Sequence, residues 1–325
     1  TRWLAVTGVQ TCALPILLWQ LERGRILRAA GRLRESNEAF ARARDRQDEL
    51  FTRSLSNEAA ALAVSDRLRP YRAGEFELPL LHVYSALNYL ELGDVEDAVV
   101  EARALSQLLA ERAEGDSGAA DGFGRFVAGL IFEAAREWND AWVAYRAARK
   151  GLERAGPERA EAVAWLEAAE ERTAILSGLE PGPPPTEAAR VVVWVEEGLV
   201  PPKVDLRLRV PVLESERDWG EDRAAMWGER LAERAVAIRD GTWGWAPGEV
   251  VSYLEVALPV YPPPRPAAGG QVLVDVNGDP RAAAFLAEDL EQTARAELSA
   301  ATPGIAGRAA ARALLKWLAT RGAGA

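Results

Sequence analysis

Residues 92–102 read LGDVEDAVVEA, a glycine break followed by a helix that carries small residues at positions 98 and 102. The same layout recurs on both sides. When Gly24, Ala86 and Gly129 are aligned, the residues three further on are Leu27, Tyr89 and Phe132, large and apolar and one helical turn away on the same face. Twelve positions on stand Ser36, Ala98 and Ala141, all small. Sixteen on stand Phe40, Ala102 and Tyr145, and nineteen on stand Ala43, Leu105 and Ala148. A break separates the two halves of each copy, at Ala-Gly-Arg 30–32, Leu-Gly-Asp 92–94 and Ala-Arg-Glu 135–137. The chain therefore contains a threefold internal repeat of helix pairs.

Where a small residue on the first helix faces a small residue on the second, the two backbones approach closely, and aromatic side chains one turn away fill the flanking space. One such pair cannot bury its apolar face alone, so successive pairs must stack. With LGDVEDAVVEA at 92–102 and EWNDAWVAYRAA at 137–148, the repeats resemble tetratricopeptide repeats over residues 17–50, 79–112 and 122–155. That resemblance implies an α-helical superhelix. Ala102 stands where an aromatic is usual and Arg136 where the turn has glycine. An insertion at 51–78 reads as a helix through SNEAAALAVSD and then breaks at Pro70 and Gly74, and residues 158–177 read as a terminal capping helix.

GLEPGPPP at 178–185 forbids helix and marks a Pro-rich linker over 179–189. This bounds a repeat domain at 17–178 and a smaller α+β domain at 190–325, expected to be incomplete at its C-terminus. Beyond the linker the periodicity turns strand-like. RVVVWVEEG at 190–198 is the first expected strand, and Val204, Leu206, Leu208, Val210 and Val212 alternate with more polar residues. EVVSYLEVALPVY at 249–261 and QVLVDVNGD at 271–279 supply two more strands, while 222–240, 281–300 and 304–320 read as helices.

The 325-residue chain is 49% hydrophobic, which is enough for a core in each domain. Its formal charge of −10 argues against a nucleic-acid partner, which would call for a basic face. No apolar run reaches the length of a membrane-spanning helix. VTGVQTCALPI at 6–16 resembles a translated sequencing adaptor, so residues 1–16 are expected to be a non-native leader that adds nothing to the fold. The rival reading, a lipoprotein signal ending at Cys12, lacks a continuous apolar segment before the cysteine. With the leader set aside no cysteine remains, which excludes disulfides and thiolate metal sites.

Little in the sequence points to catalysis. His82 is the single histidine, too few for the common zinc sites, and reads as a packing or surface residue. VNGDP at 276–280 lacks the lysine and repeated glycines of a phosphate loop and reads as a turn from strand to helix, with Asp279 capping the helix. The carboxylate pairs Glu196–Glu197 and Glu288–Asp289 read as solvated surface. Trp243 and Trp245 in DGTWGWAPGE either stack on a sugar or peptide or tuck onto their own sheet. LRPYRAGEFE at 68–77, with Tyr71 and Phe76, is either a plug closing the helical array or a partner-recognition loop. No cofactor is called for.

In stacked helix pairs of this type the first helix of each pair lines the groove. The residues there that avoid the packing positions are Arg25 and Arg28, Leu87 and Glu91, and Phe126, Leu130 and Glu133. Such a groove is mixed in charge over an apolar floor, which suits a protein or peptide segment. The expected function is thus a non-catalytic scaffold. The alternative is an enzyme or saccharide binder in the C-terminal domain, which would need two carboxylates facing across a cleft near the tryptophans.

Both halves in this order are similar to a large family of bacterial proteins that join an N-terminal repeat region to a C-terminal β-containing domain. The likeness is carried by LLWQLERGRILRAAGRLRESNEAF at 17–40, RPYRAGEFE at 69–77, ALNYLELGDVEDAVVEAR at 86–103, VEEGLVPPK at 195–203 and VALPVYPPPRP at 256–266. Members usually begin with a lipoprotein signal. The resemblance therefore implies a periplasmic or envelope-associated location and membrane anchoring through an N-terminal lipid. It brings no established activity and no catalytic residues.

Overall fold

A computed structural model describes residues 16–54, 73–74, 76–114, 122–183, 185, 191–216, 224–244, 250–264 and 272–322. The expected leader up to residue 15, Tyr71 with most of its insertion, and Trp245 lie outside the described residues. The described chain is mostly helical and forms two compact units. One unit comprises the described residues through 196 together with 272–289, and the other comprises 197–264 and 290–322. The units thus part at residue 196, beyond the Pro-rich segment, and they interleave along the chain.

In the first unit, α1 (Ile16–Ala29), α2 (Leu33–Ser54), α3 (Glu77–Leu92), α4 (Val95–Glu114), α5 (Gly122–Ala134), α6 (Trp138–Ala155) and α7 (Ala160–Leu176) each pack on their sequence neighbour. In addition α1 touches α3 and α3 touches α5. The three turns within the pairs share one device. Gly31 (φ 73°), Gly93 (φ 81°) and Arg136 (φ 60°) all adopt left-handed backbone after the first helix. In each turn that residue donates its N–H three residues back, and its successor donates five residues back. The longer bonds are Arg32 to Leu27, Asp94 to Tyr89 and Glu137 to Phe132, so the last carbonyls of the helix are satisfied. Arg136 occupies this conformation without glycine's freedom.

Close approach within a pair depends on the aligned small residues. A methyl built on Gly24 would stand within 2.8 Å of three ring atoms of Phe40, and one on Gly129 would stand 2.5 Å from Cδ1 and Cε1 of Tyr145. The first helix therefore gives up a side chain so that an aromatic from the second can lie against its backbone. The second pair makes no such trade, since Ala86 and Ala102 are both fully buried and neither is bulky. Ser36, with no exposed surface, donates its hydroxyl to the carbonyl of Gly24 at 2.8 Å and ties the two helices at their contact.

The second unit is built on β1 (Val204–Leu213) paired antiparallel with β2 (Val250–Val260), with Leu206 opposite Leu258, Leu208 opposite Val256 and Val210 opposite Leu254. These residues supply one apolar face, on which α8 (Ala224–Arg239) and α9 (Leu290–Gly322) pack through Trp227, Leu231, Ala306, Ala310 and Leu314. Glu216, 2% exposed, is held by Arg234 at 2.7 Å and by the Leu213 amide at 2.9 Å. Burial pushes this carboxyl up, but those bonds and the Arg234 and Arg230 charges more than offset it and leave the group below its ordinary value.

Several expectations need correction. Residues 191–203 form no strand among the described residues: they pair with neither sheet, and Trp194 packs instead on Phe123 of a helix. β3 (Leu273–Val276) and β4 (Asp279–Ala283) form a separate hairpin, and it belongs with the helical unit. Their turn uses Asn277 (φ 57°) and Gly278 (φ 89°), the paired left-handed geometry that favours tight hairpins, so Asp279 starts a strand and does not cap a helix. The two helices expected on either side of residue 303 are one helix that passes through Pro303. The α+β half thus holds a two-stranded sheet of its own, not a sheet of four strands.

Candidate functional site

The first helices of the three pairs, α1, α3 and α5, each offer one residue to the same extended segment. On α3, Tyr84 stacks on Phe40 with ring centroids 6.3 Å apart, and the guanidinium of Arg25 from α1 lies 4.2 Å over its ring. Arg25 also pairs with Glu196 at 2.8 Å, a carboxylate close enough to Tyr84 to bear on its hydroxyl. Burial pushes the Tyr84 hydroxyl up to about 12, with the nearby Glu196 carboxylate adding to it against the opposing charges of Arg25 and Arg28. The phenol therefore keeps its proton at neutral pH. On α5, Phe123 meets Trp194 with ring centroids 5.3 Å apart. The Trp194 indole N–H also donates to Glu196 at 3.1 Å.

A concavity of about 190 Å³ adjoins this contact, lined by Arg25, Arg28, Ala29, Glu91 and Glu196. Arg28 is fixed there from below. It donates to Asn88, whose amide donates to Ser36 Oγ at 2.9 Å and Asn37 Oδ1 at 2.7 Å, and it pairs with Glu91 at 2.6 Å. Because Asn88 and Ser36 are fully buried, this network holds the arginine by satisfied polar groups rather than by chance surface geometry.

Of the residues expected in a groove, Arg25, Arg28 and Glu91 come together. Phe126 and Glu133 do not join them. Phe126 is buried among Trp165 at 5.0 Å, Tyr145 at 6.5 Å and Phe285 at 6.3 Å between centroids. Glu133 turns toward the next helices, where it accepts from Tyr145 Oη and pairs with Arg172, both at 2.6 Å. Leu87 and Leu130 are partly buried and pack against the core cluster. Phe76 sits half-buried just before α3, and its carbonyl accepts from the Leu80 amide at 3.2 Å.

A second part of the chain closes on α5 and α7. Phe285 and Ala287 pack on the helical core, and the Leu286 carbonyl accepts from Arg159 at 2.9 Å. His82 is buried with Nδ1 2.7 Å from Glu101 Oε2, and Arg44 lies 3.2 Å from the same carboxylate. It serves packing between α3 and α4. A larger concavity of about 290 Å³ lies against α6 and α7, but its Arg149 is committed to Glu170 at 2.9 Å and Glu153 at 2.6 Å.

Sequence reasoning missed Tyr84, Phe123, Trp194 and Glu196. In the sequence Glu196 reads as half of a solvated pair with Glu197 and Trp194 as part of a strand; their common signal is the two-residue spacing of an aromatic and an acid. Among the described residues no cluster of three potential ligands could hold a metal, and no helix is long and apolar enough to cross a membrane. No family model, curated protein or solved structure matches the chain.

Proposed function

We propose that this chain is a protein-binding scaffold whose tetratricopeptide-like helix pairs hold an extended segment of a partner protein on the face of α1, α3 and α5. The observation that supports this reading is the segment already lying there. Residues 194 and 196 point into the face while Val193 and Val195 are 53% and 48% exposed, as in an extended peptide read on alternate side chains. A superhelical array of tetratricopeptide type, with first helices inward, accounts for why one segment meets all three pairs. A periplasmic or envelope location, with anchoring through a lipid, is proposed on the family resemblance alone. No catalytic step is proposed.

A photo-crosslinking residue at Ala29, which lines the concavity, tests the reading against the same residue at Val100, 60% exposed on the second helix of its pair. Envelope extract should yield a partner crosslinked from position 29 and not from position 100. Once purified, that partner should bind at least tenfold more weakly to Arg25→Glu. Equal capture at both positions, or binding indifferent to Arg25→Glu, would remove the helix-pair face as the binding surface.

A further inference from the structure

Among the described residues, 191–196 meet the helices through Trp194 and Glu196, and both contacts are of a kind that another chain could reproduce. Arg25, whose guanidinium lies 4.2 Å over the Tyr84 ring of a different helix, presents a donor at one point, which is filled by the carboxylate of Glu196. Phe123 presents an aromatic surface to Trp194, two residues earlier. In an extended chain, side chains two apart fall on the same side about 6.7 Å apart. The face is therefore cut to the pattern aromatic, any residue, acid. In a chain of net charge −10, the free valence of this face is cationic: Arg28 is matched by Glu91, whereas Arg25 is matched by the segment itself.

We propose that residues 191–196 are a built-in occupant of the helix-pair face, and that the partner is an extended protein segment carrying an aromatic side chain followed two residues later by a carboxylate. This rests on the scaffold reading above and adds to it the partner's chemistry and a competition. The segment forms no ladder with other strands among the described residues, and four of its valines are about half exposed or more, so little besides Trp194 and Glu196 retains it. The Arg25–Glu196 pair is itself open to water, with side chains 44% and 37% exposed, which makes it exchangeable. A tethered occupant acts at an effective concentration in the millimolar range, so it lowers the apparent affinity of any partner that must displace it.

The test uses the full chain and a fluorescein-labelled peptide of sequence RVVVWVEEG, residues 190–198, followed by anisotropy. Trp194→Ala/Glu196→Gln should bind the peptide at least tenfold more tightly than the unaltered chain. Adding Arg25→Glu to that variant should abolish binding, and a peptide with lysine in place of the first glutamate should restore it. A second variant, Glu196→Lys alone, changes only a partly exposed side chain and should also bind more tightly than the unaltered chain. Equal binding to the unaltered chain and both variants overturns the built-in occupant while leaving the face as a binding surface. No binding to either variant overturns the aromatic–acid pattern, and crosslinking at position 29 then shows separately whether the scaffold reading stands.

Discussion

The contact between Gly24 and Phe40 permits a test in which one substitution changes sign with its background. A methyl at Gly24 would meet three Phe40 ring atoms at 2.8 Å or less, against about 3.5–4.0 Å for relaxed carbon contact, and the ring is 2% exposed with no room to turn aside. Overpacking of this kind costs about 1–3 kcal/mol. Alanine in place of glycine inside a helix returns about 1 kcal/mol, so Gly24→Ala should destabilise by up to about 2 kcal/mol net. Phe40→Ala alone should cost about 3–5 kcal/mol through the cavity it leaves. In that background the methyl no longer clashes. It gains the helix preference and buries a carbon worth about 0.8 kcal/mol, so Gly24→Ala should now stabilise by about 1–2 kcal/mol. The double variant would recreate at the first pair the Ala86/Ala102 arrangement that the second pair already uses. Urea titration followed by circular dichroism measures the cycle, and hydrogen exchange of α1 and α2 amides assigns it to this pair. If Gly24→Ala destabilises by the same amount with and without the ring, the ring is not what excludes the side chain.

Two further outcomes follow from the helical unit. Arg136→Gly removes an exposed side chain from left-handed backbone and should stabilise by about 1 kcal/mol, read as a melting-temperature rise of about 2–4 °C; a fall would mean that the arginine contributes more than its backbone costs. For Glu101, burial raises the carboxyl, but the His82 hydrogen bond and charge and then Arg44 outweigh it, so the group sits below its ordinary 4.5. Its stabilisation is therefore complete above pH 4.5 and is lost as pH falls through the depressed folded value. Glu101→Gln should cost about 1.5–3 kcal/mol at pH 7, with the gap to the unaltered chain closing in acid, as followed by urea midpoints across pH; a gap constant with pH would contradict the assignment.

The helix pairs were legible because their packing is local: Gly24 and Gly129 lie sixteen residues from the ring that covers each, and the left-handed turns at Gly31 and Gly93 announce themselves. Arg136 was legible only from alignment with them. The segment at 191–196 was not, because alternation of side chains reveals an extended backbone but says nothing about whether a strand or a helix face lies beside it. Contacts as distant in sequence as Arg159 with Leu286 leave no periodic trace. Pro303 misled for a related reason. Its missing N–H argues for a break, yet Leu298, Ala306 and Ala310 on both sides are buried, and that packing keeps the helix continuous.

The interleaving of the two units has a consequence for biosynthesis. The seven described helices are complete once residue 176 has been added, but Trp194, Glu196 and the 285–287 segment that cover parts of them come later, the last after 111 further residues (287 − 176). At an elongation rate of about 5–20 residues per second, that delay is roughly 6–22 s, long compared with helix formation and the docking of neighbouring helices. A nascent chain of this protein thus spends seconds with Phe123 and Phe126 lacking their later-made neighbours. In that interval the exposed aromatics are open to chaperones, or to any partner that engages the protein while it is still on the ribosome.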